Sequence, residues 1–265
     1  MWGRWFRRPP LLHVAGDTGT GQVVVLLHGI ASSSATWQNV TPLLATDHRC
    51  ILIDLLGFGG SPAPADSQYR VRDHARSLHR TLRRLRLRQP YILVGHSLGA
   101  LIATHFAARF RTRIARMVLV SPPVYLSPSE LGDDRERFVQ DVYLRAYDFL
   151  RTHRDFTVRN SAVIQQLVPI EGALEVTPQN WTPFVRSLEQ SIESQTTISD
   201  LAAVKVPVEI VIGDFDEFSS PGAMRIVERF RGVTVHRVWG ATHLILPNLA
   251  RAVAAAVRSP MPPVS

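Results

Sequence analysis

A doubly wound, mostly parallel α/β sheet carrying one helical insertion is the fold this 265-residue sequence predicts, and three observations predict it. Short runs of Val, Ile and Leu recur along the chain, helical patterns separate several of them, and one long interval breaks the alternation. Runs that are apolar at every position, rather than at alternate ones, belong to strands covered on both faces, as in a parallel sheet flanked by helices.

The candidate strands are residues 23–27, 50–53, 91–94, 117–120, 208–212 and 234–238. Helices are expected over 75–85, 98–110 and 224–230. Strands alternating with helices build a parallel sheet with helices on both faces. The interval 122–207 is too long for one crossover and carries helical patterns of its own at 135–150 and 183–194. It is therefore expected to form a helical cap inserted into a core domain made of residues 1–121 and 208–265. Its aromatic residues Tyr125, Tyr143, Tyr147, Phe149, Trp181 and Phe184 are expected mostly to pack the cap on the sheet, with the remainder lining a pocket. The Pro-rich stretch 259–265 reads as a frayed tail.

Composition narrows the function classes. Hydrophobic residues make up 45% and charged residues 20%, as in an ordinary folded protein rather than a disordered one. No apolar run approaches the roughly 20 residues that cross a bilayer, and residues 1–10 lack a signal-type apolar core, so a cytoplasmic location is expected. The one cysteine, Cys50, lies in an apolar run and is expected to be a buried, inert thiol.

The net charge of +8 would suit a polyanion. However, 29 of the 30 basic residues are arginine, with Lys205 the sole lysine, a bias that points to overall composition rather than to one surface. The densest basic stretch, 70–88, spaces Val71, Ala75, Leu78, Leu82 and Leu85 at three- and four-residue intervals, the pattern of an amphipathic helix with a solvated arginine face. It holds no base-stacking aromatics, so no nucleic-acid partner is expected. Trp2, Trp5 and Phe6 are expected to pack over the domain's own edge, peripheral membrane contact being the lesser alternative.

The chemistry begins at Gly95-His96-Ser97-Leu98-Gly99, which follows one candidate strand and opens a candidate helix. That is the setting of a nucleophile elbow. The two glycines allow close backbone approach, and the tight turn projects the Ser97 hydroxyl out of the sheet. The helix N-terminus behind it supplies partial positive charge and free amides where an oxyanion would form. His243, in Gly240-Ala241-Thr242-His243, lies on a loop after the last candidate strand, at the carboxyl edge where open α/β sheets gather their sites. Three carboxylates, Asp214, Asp216 and Glu217, crowd the turn after the strand 208–212.

Together with Leu27-His28-Gly29-Ile30 after the first strand, these motifs give a chain that resembles the α/β-hydrolase superfamily. The resemblance implies the α/β-hydrolase fold with a helical cap, and a triad in the chain order Ser97, Asp216, His243. The superfamily's Gly-x-x-Asp pattern selects Asp216, with Asp214 as its rival. It also implies an oxyanion hole made by the backbone amides of Ile30 and Leu98, with His28 holding the loop. The span Asp54-Leu55-Leu56-Gly57-Phe58-Gly59-Gly60-Ser61 is similar to a superfamily loop expected to shape the pocket floor.

The implied activity is that of a carboxylesterase acting on a small-molecule ester through an acyl-enzyme. Its alternatives are other serine-branch reactions: lactonase, carbon–carbon bond hydrolase, acyltransferase or cofactor-free haloperoxidase. Serine at the elbow speaks against the aspartate-nucleophile branch that dehalogenates and opens epoxides. A different class of reading is a non-catalytic ligand-binding protein on the same fold. No cofactor is expected: the glycine spacing is wrong for a dinucleotide fingerprint, and there is no His-Glu-x-x-His metal motif.

Overall fold

The computed structural model describes residues 8–110, 113–125, 134–167, 175–193 and 197–260. All six expected strands form: β2 (Gln22–Leu27), β3 (His48–Ile53), β4 (Tyr91–His96), β5 (Ile114–Val120), β6 (Val208–Gly213) and β7 (Val233–Val238). A further strand precedes them, β1 (Val14–Thr18). The sheet order is β1-β3-β2-β4-β5-β6-β7. Every pairing is parallel except that of β1, which runs antiparallel to β3 at the edge. The reading by apolar runs misses β1 because Val-Ala-Gly-Asp-Thr is half exposed; an edge strand needs only one covered face.

Alternate side chains of the same strands enter two separate cores, which is the physical content of a doubly wound sheet. Val25, Leu27, Leu93, Leu119 and Ile210 point to one face, while Val24, Leu26, Val94, Val118 and Val211 point to the other. The helices are α1 (Thr41–Leu44), α2 (Val71–Leu85), α3 (Leu98–Arg109), α4 (Asp134–Thr152), α5 (Arg154–Leu167), α6 (Trp181–Ser187), α7 (Thr197–Ala203), α8 (Pro221–Val227) and α9 (Pro247–Arg258). Helices α2, α3 and α8 cover the first face through residues such as Leu78, Ile102 and Met224. The second face is covered by α1 and α9 through Leu44, Leu249 and Val253. Each fully buried Leu or Val adds about 1.5–3 kcal/mol. Cys50 lies in the second core, where burial pushes its thiol up to about 11 and leaves it inert.

Helices α4 to α7 fall between β5 and β6, within the interval expected to be helical. The pattern at 183–194 appears as α6 followed by a π-helical turn, Leu188–Ile192, while Ser194 lies outside the described residues. Arg186 on α6 donates to the carbonyls of Ala65 and Ser67, Ser191 donates to the Tyr69 carbonyl at 2.7 Å, and Arg70 reaches Gln190 at 3.3 Å. The chain that follows β3 is thus the anchor of α6.

Trp2, Trp5 and Phe6 lie outside the described residues, as do 261–265 of the expected tail. Ser259 and Pro260 are described, and they are tied down: the buried Arg116 guanidinium donates to both carbonyls. Among the described residues no helix is long and apolar enough to cross a membrane.

Candidate active site

Because β2, β4, β5, β6 and β7 run parallel, their carboxyl ends share one edge, and the loops leaving that edge carry Ile30, Ser97, Asp216 and His243. Ser97 sits between β4 and α3 with φ +52° and ψ −120°, a conformation costly for a residue with a side chain. Two contacts hold it there. Its N–H donates to the Val120 carbonyl at 2.9 Å, and its carbonyl accepts from Ala100 N–H at 2.9 Å. A Cβ on Gly99 would strike the carbonyl oxygens of Leu27 and His28, so only glycine lets α3 start this close to β2.

Of the three carboxylates after β6, burial separates one from the others. Asp214 and Glu217 are exposed, whereas Asp216 is buried and accepts a hydrogen bond from His243 Nδ1 at 2.9 Å. A carboxylate can only accept, so Nδ1 carries the proton and Nε2 keeps its lone pair. Burial pushes the Asp216 pKa up, but the charge and hydrogen bond of His243, the Ser121 hydroxyl and the Phe218 amide more than offset it, and the carboxyl ends below its ordinary value. The Phe218 N–H donates to the same Oδ1 at 3.1 Å. The other oxygen, Oδ2, and Ser121 Oγ are both buried without a partner of good hydrogen-bond geometry among the described residues, although the hydroxyl stands near enough to favour the ionised acid.

The loop after β2 is fixed by His28, which is fully buried. Its Nε2 accepts from Leu55 N–H at 2.9 Å and its Nδ1 donates to the Gly29 carbonyl at 2.7 Å. Burial drives the His28 pKa down to about 4, so the ring is neutral and its tautomer is set by these two partners. Asp54, from the end of β3, accepts from Ser34 N–H at 2.9 Å and Gly60 N–H at 2.8 Å and so braces the same loop from below. Leu98 is the first residue of α3, where a helix leaves amides without an intrahelical partner.

Ser97, His243 and Ile30 all line one cavity of about 410 Å³ at this edge. Its walls come largely from the stretch between β5 and β6: Tyr147, Leu150, Phe156, Phe184, Leu188 and Ile192. Of the six aromatics singled out in that interval, Tyr147 and Phe184 reach the cavity, and Phe156, not among those six, reaches it too. Trp181 stacks behind Phe184 at 5.8 Å, and Phe149 is exposed against His153. The expectation that residues 54–61 form the pocket floor is corrected: none of them lines the cavity; Gly57 instead lies against Pro183 of α6, and Asp54 braces the Ser34 loop.

Three features escape the sequence reading. Phe218 packs edge-on against His243 at 4.7 Å and face-on against Tyr147 at 6.1 Å, joining the acid loop to α4. Tyr125 and Tyr147 share a hydrogen bond at 2.8 Å, and burial raises both phenols, so both stay neutral. His96 donates Nε2–H to the His243 carbonyl at 3.0 Å. All three join residues distant in sequence, which no local spacing reveals. Three other histidines play other parts: His236 pairs with Glu209 at 2.7 Å, His79 stacks on Phe110, and His74 is buried.

A family described as "alpha/beta hydrolase fold" matches residues 22–247. The chain is 39% identical over 118 residues to "Probable lysophospholipase BODYGUARD 3" of Arabidopsis thaliana, a match covering 43% of this chain and 23% of that protein. It thus spans only about a quarter of the length of this and four related Arabidopsis proteins. A haloalkane dehalogenase of Mesorhizobium japonicum is 27% identical, with 92% of this chain and 86% of that protein covered. Among solved structures, a thermophilic esterase from Thermogutta terrifontis superposes with a TM-score of 0.68 at 25% identity, covering 93% of this chain and 92% of the other.

Proposed function

The chain belongs to the α/β-hydrolase fold family, and on that premise we propose that it is a serine hydrolase that cleaves small, largely apolar carboxylic esters through an acyl-enzyme. One observation carries the reading: His243, held by the buried Asp216, lines the same cavity as Ser97 on its strained elbow. An orienting acid, a base with a free Nε2 and a serine on a strained elbow are the parts that acyl transfer needs.

In this mechanism His243 Nε2 takes the Ser97 hydroxyl proton as Oγ attacks the ester carbonyl. The amides of Ile30 and Leu98 receive the charge that develops on the carbonyl oxygen. His243, now protonated and facing the ionised Asp216, returns the proton to the leaving alcohol. Water then repeats the sequence against the acyl-enzyme and releases the acid. Residues 122–207 serve as the cap over the site, and their apolar walls favour a modest hydrocarbon group.

The relatives include proteins named for dehalogenation and for lysophospholipid cleavage. Serine at the elbow favours the ester reaction over dehalogenation, which the superfamily performs with an aspartate there. The test is twofold: a fluorophosphonate probe should label Ser97, and p-nitrophenyl esters of graded chain length should be turned over. Absence of labelling in folded protein would assign the cavity to ligand binding instead.

A further inference from the structure

The loop that carries His243 is held at three points. Phe215 N–H donates to the Ala241 carbonyl at 3.0 Å, and Asn39 Nδ2 donates to the Ile245 carbonyl at 3.0 Å. Between these anchors, the carbonyl of His243 itself accepts from His96 Nε2 at 3.0 Å. A carbonyl oxygen cannot donate, so the His96 proton resides on Nε2 and Nδ1 bears a lone pair. That Nδ1 is buried without a hydrogen-bond partner among the described residues. Protonating it would bury a second N–H with nothing to receive it, and burial accordingly pulls the His96 pKa down to about 3. The ring is pinned between Trp37, edge-on at 6.4 Å, and His243, tilted at 4.9 Å.

We infer that His96 is a positioning residue for acyl transfer, whose donated Nε2–H ties the backbone of the base His243 to the residue preceding the nucleophile Ser97. This rests on the serine-hydrolase reading above. An imidazole is aimed by two fixed points: the hydrogen bond at its Nδ1 and the backbone from which it hangs. Asp216 supplies the first and His96 the second. Because His96 and Ser97 share a peptide bond, a shift of the elbow is transmitted through this hydrogen bond to the backbone of the base. A misplacement of 1 Å can cost about 10²-fold in rate, so one hydrogen bond at this point is enough to matter.

The test uses two substitutions that separate the donated proton from the packing of the ring. His96→Phe keeps the aromatic contacts with Trp37 and His243 and removes both the donor and the unpartnered Nδ1, leaving the His243 carbonyl without its donor, so its kinetics are read on protein shown to be folded. His96→Gln returns an N–H donor without the ring. For purified protein, kcat and KM on p-nitrophenyl butyrate, the rate of fluorophosphonate labelling and the melting temperature are measured. His96→Phe is expected to lower kcat and the labelling rate together by roughly 10- to 100-fold, with KM within about twofold and a melting temperature lowered by only a few degrees, the protein staying folded at the assay temperature. His96→Gln is expected to recover most of the loss. If wild type labels at Ser97 and His96→Phe matches its kcat and labelling rate, the positioning role is overturned while the hydrolase reading stands. The positioning role is overturned in the same way if His96→Gln is as impaired as His96→Phe. A wild type that does not label at Ser97 overturns both readings together.

Discussion

His28 donates its Nδ1–H to the carbonyl oxygen of Gly29 at 2.7 Å, and so fixes the peptide plane whose N–H belongs to Ile30. In a planar trans peptide the two groups point in opposite directions, so holding one aims the other. His28 therefore serves the proposed oxyanion hole without touching substrate. His28→Phe should lower kcat by about 10- to 1,000-fold, approaching the cost of losing an oxyanion donor. It also strands the Gly29 carbonyl and the Leu55 amide, at about 1–3 kcal/mol each. Steady-state kinetics on folded variant would contradict this role if kcat stayed at the wild-type value.

Ser97 holds positive φ at a place where a side chain is strained, and the strain is local. Ser97→Ala should abolish ester turnover by about 10⁴- to 10⁶-fold with little change in melting temperature. Ser97→Gly should be as inactive and yet melt above Ser97→Ala, because glycine adopts this backbone freely. Calorimetry on the two variants checks the ordering, and a reversed order would show that the elbow stores no strain.

The acid assignment predicts unequal effects from two neighbouring carboxylates. Asp216→Asn removes the partner that sets the His243 tautomer and should cost about 10⁴-fold in kcat. Asp214→Asn, at an exposed side chain, should cost less than tenfold. Kinetics on both variants decide, and the opposite ranking would move the role to Asp214.

These cases also show why some residues are legible in the sequence and others are not. Ser97 and its strand-turn-helix setting are encoded within about a dozen consecutive residues, and five of the six expected strands are buried apolar runs, whereas β7, expected to be covered on both faces, is an edge strand with no fully buried residue. Asp216 is less legible: three carboxylates share its turn, and only burial separates them. Helix α9 carries local signals, Pro247 at its first turn and an apolar face of Leu249, Val253 and Val257, that can be read from sequence yet are easily passed over beside the motifs. Edge strand β1 and the His96–His243 bond are different in kind. The first is defined by pairing with β3, the second spans 147 residues, and neither leaves a local pattern.

Buried neutral histidines make stability depend on pH in a definite direction. His28, His74 and His96 are driven down by burial to about 4, 3 and 3. Between those values and the ordinary histidine value of 6.5, the unfolded chain binds protons that the folded one excludes, so stability rises with pH. Their contribution is complete above about pH 6.5 and is lost progressively on acidification, by about 1.4 kcal/mol per pH unit for each histidine. A second window lies lower. Asp54 and Asp216, with folded values below 3.8, contribute stability present above that value and lost as pH falls through their folded values. Melting temperature should therefore decline from pH 6.5 towards 4, and His74→Phe should reduce the slope by one proton. A flat profile across that range would contradict the buried neutral state.

The last prediction concerns substrate size. The cavity of about 410 Å³ is lined by Phe184, Leu188, Ile192, Tyr147, Leu150 and Phe156 together with Ser97 and His243. Such a space accepts a short or medium acyl chain and excludes the bulk of a long-chain triglyceride. Phe184 is the wall residue of choice for testing this, because Trp181 behind it supports the wall without forming it. Phe184 is also buried against the core, and full truncation would cost about 3–5 kcal/mol, so the milder Phe184→Leu is the informative change. Across p-nitrophenyl esters from acetate to laurate, wild-type kcat/KM should peak at short or medium length. Phe184→Leu should move the peak towards longer chains, and Leu188→Phe towards shorter ones, with fluorophosphonate labelling of Ser97 unchanged in both. Trp181→Leu should shift the profile in the same direction as Phe184→Leu but by less. If the three variants share the wild-type profile, or if wild type handles emulsified long-chain lipid as readily as soluble esters, residues 122–207 do not act as a specificity-setting cap.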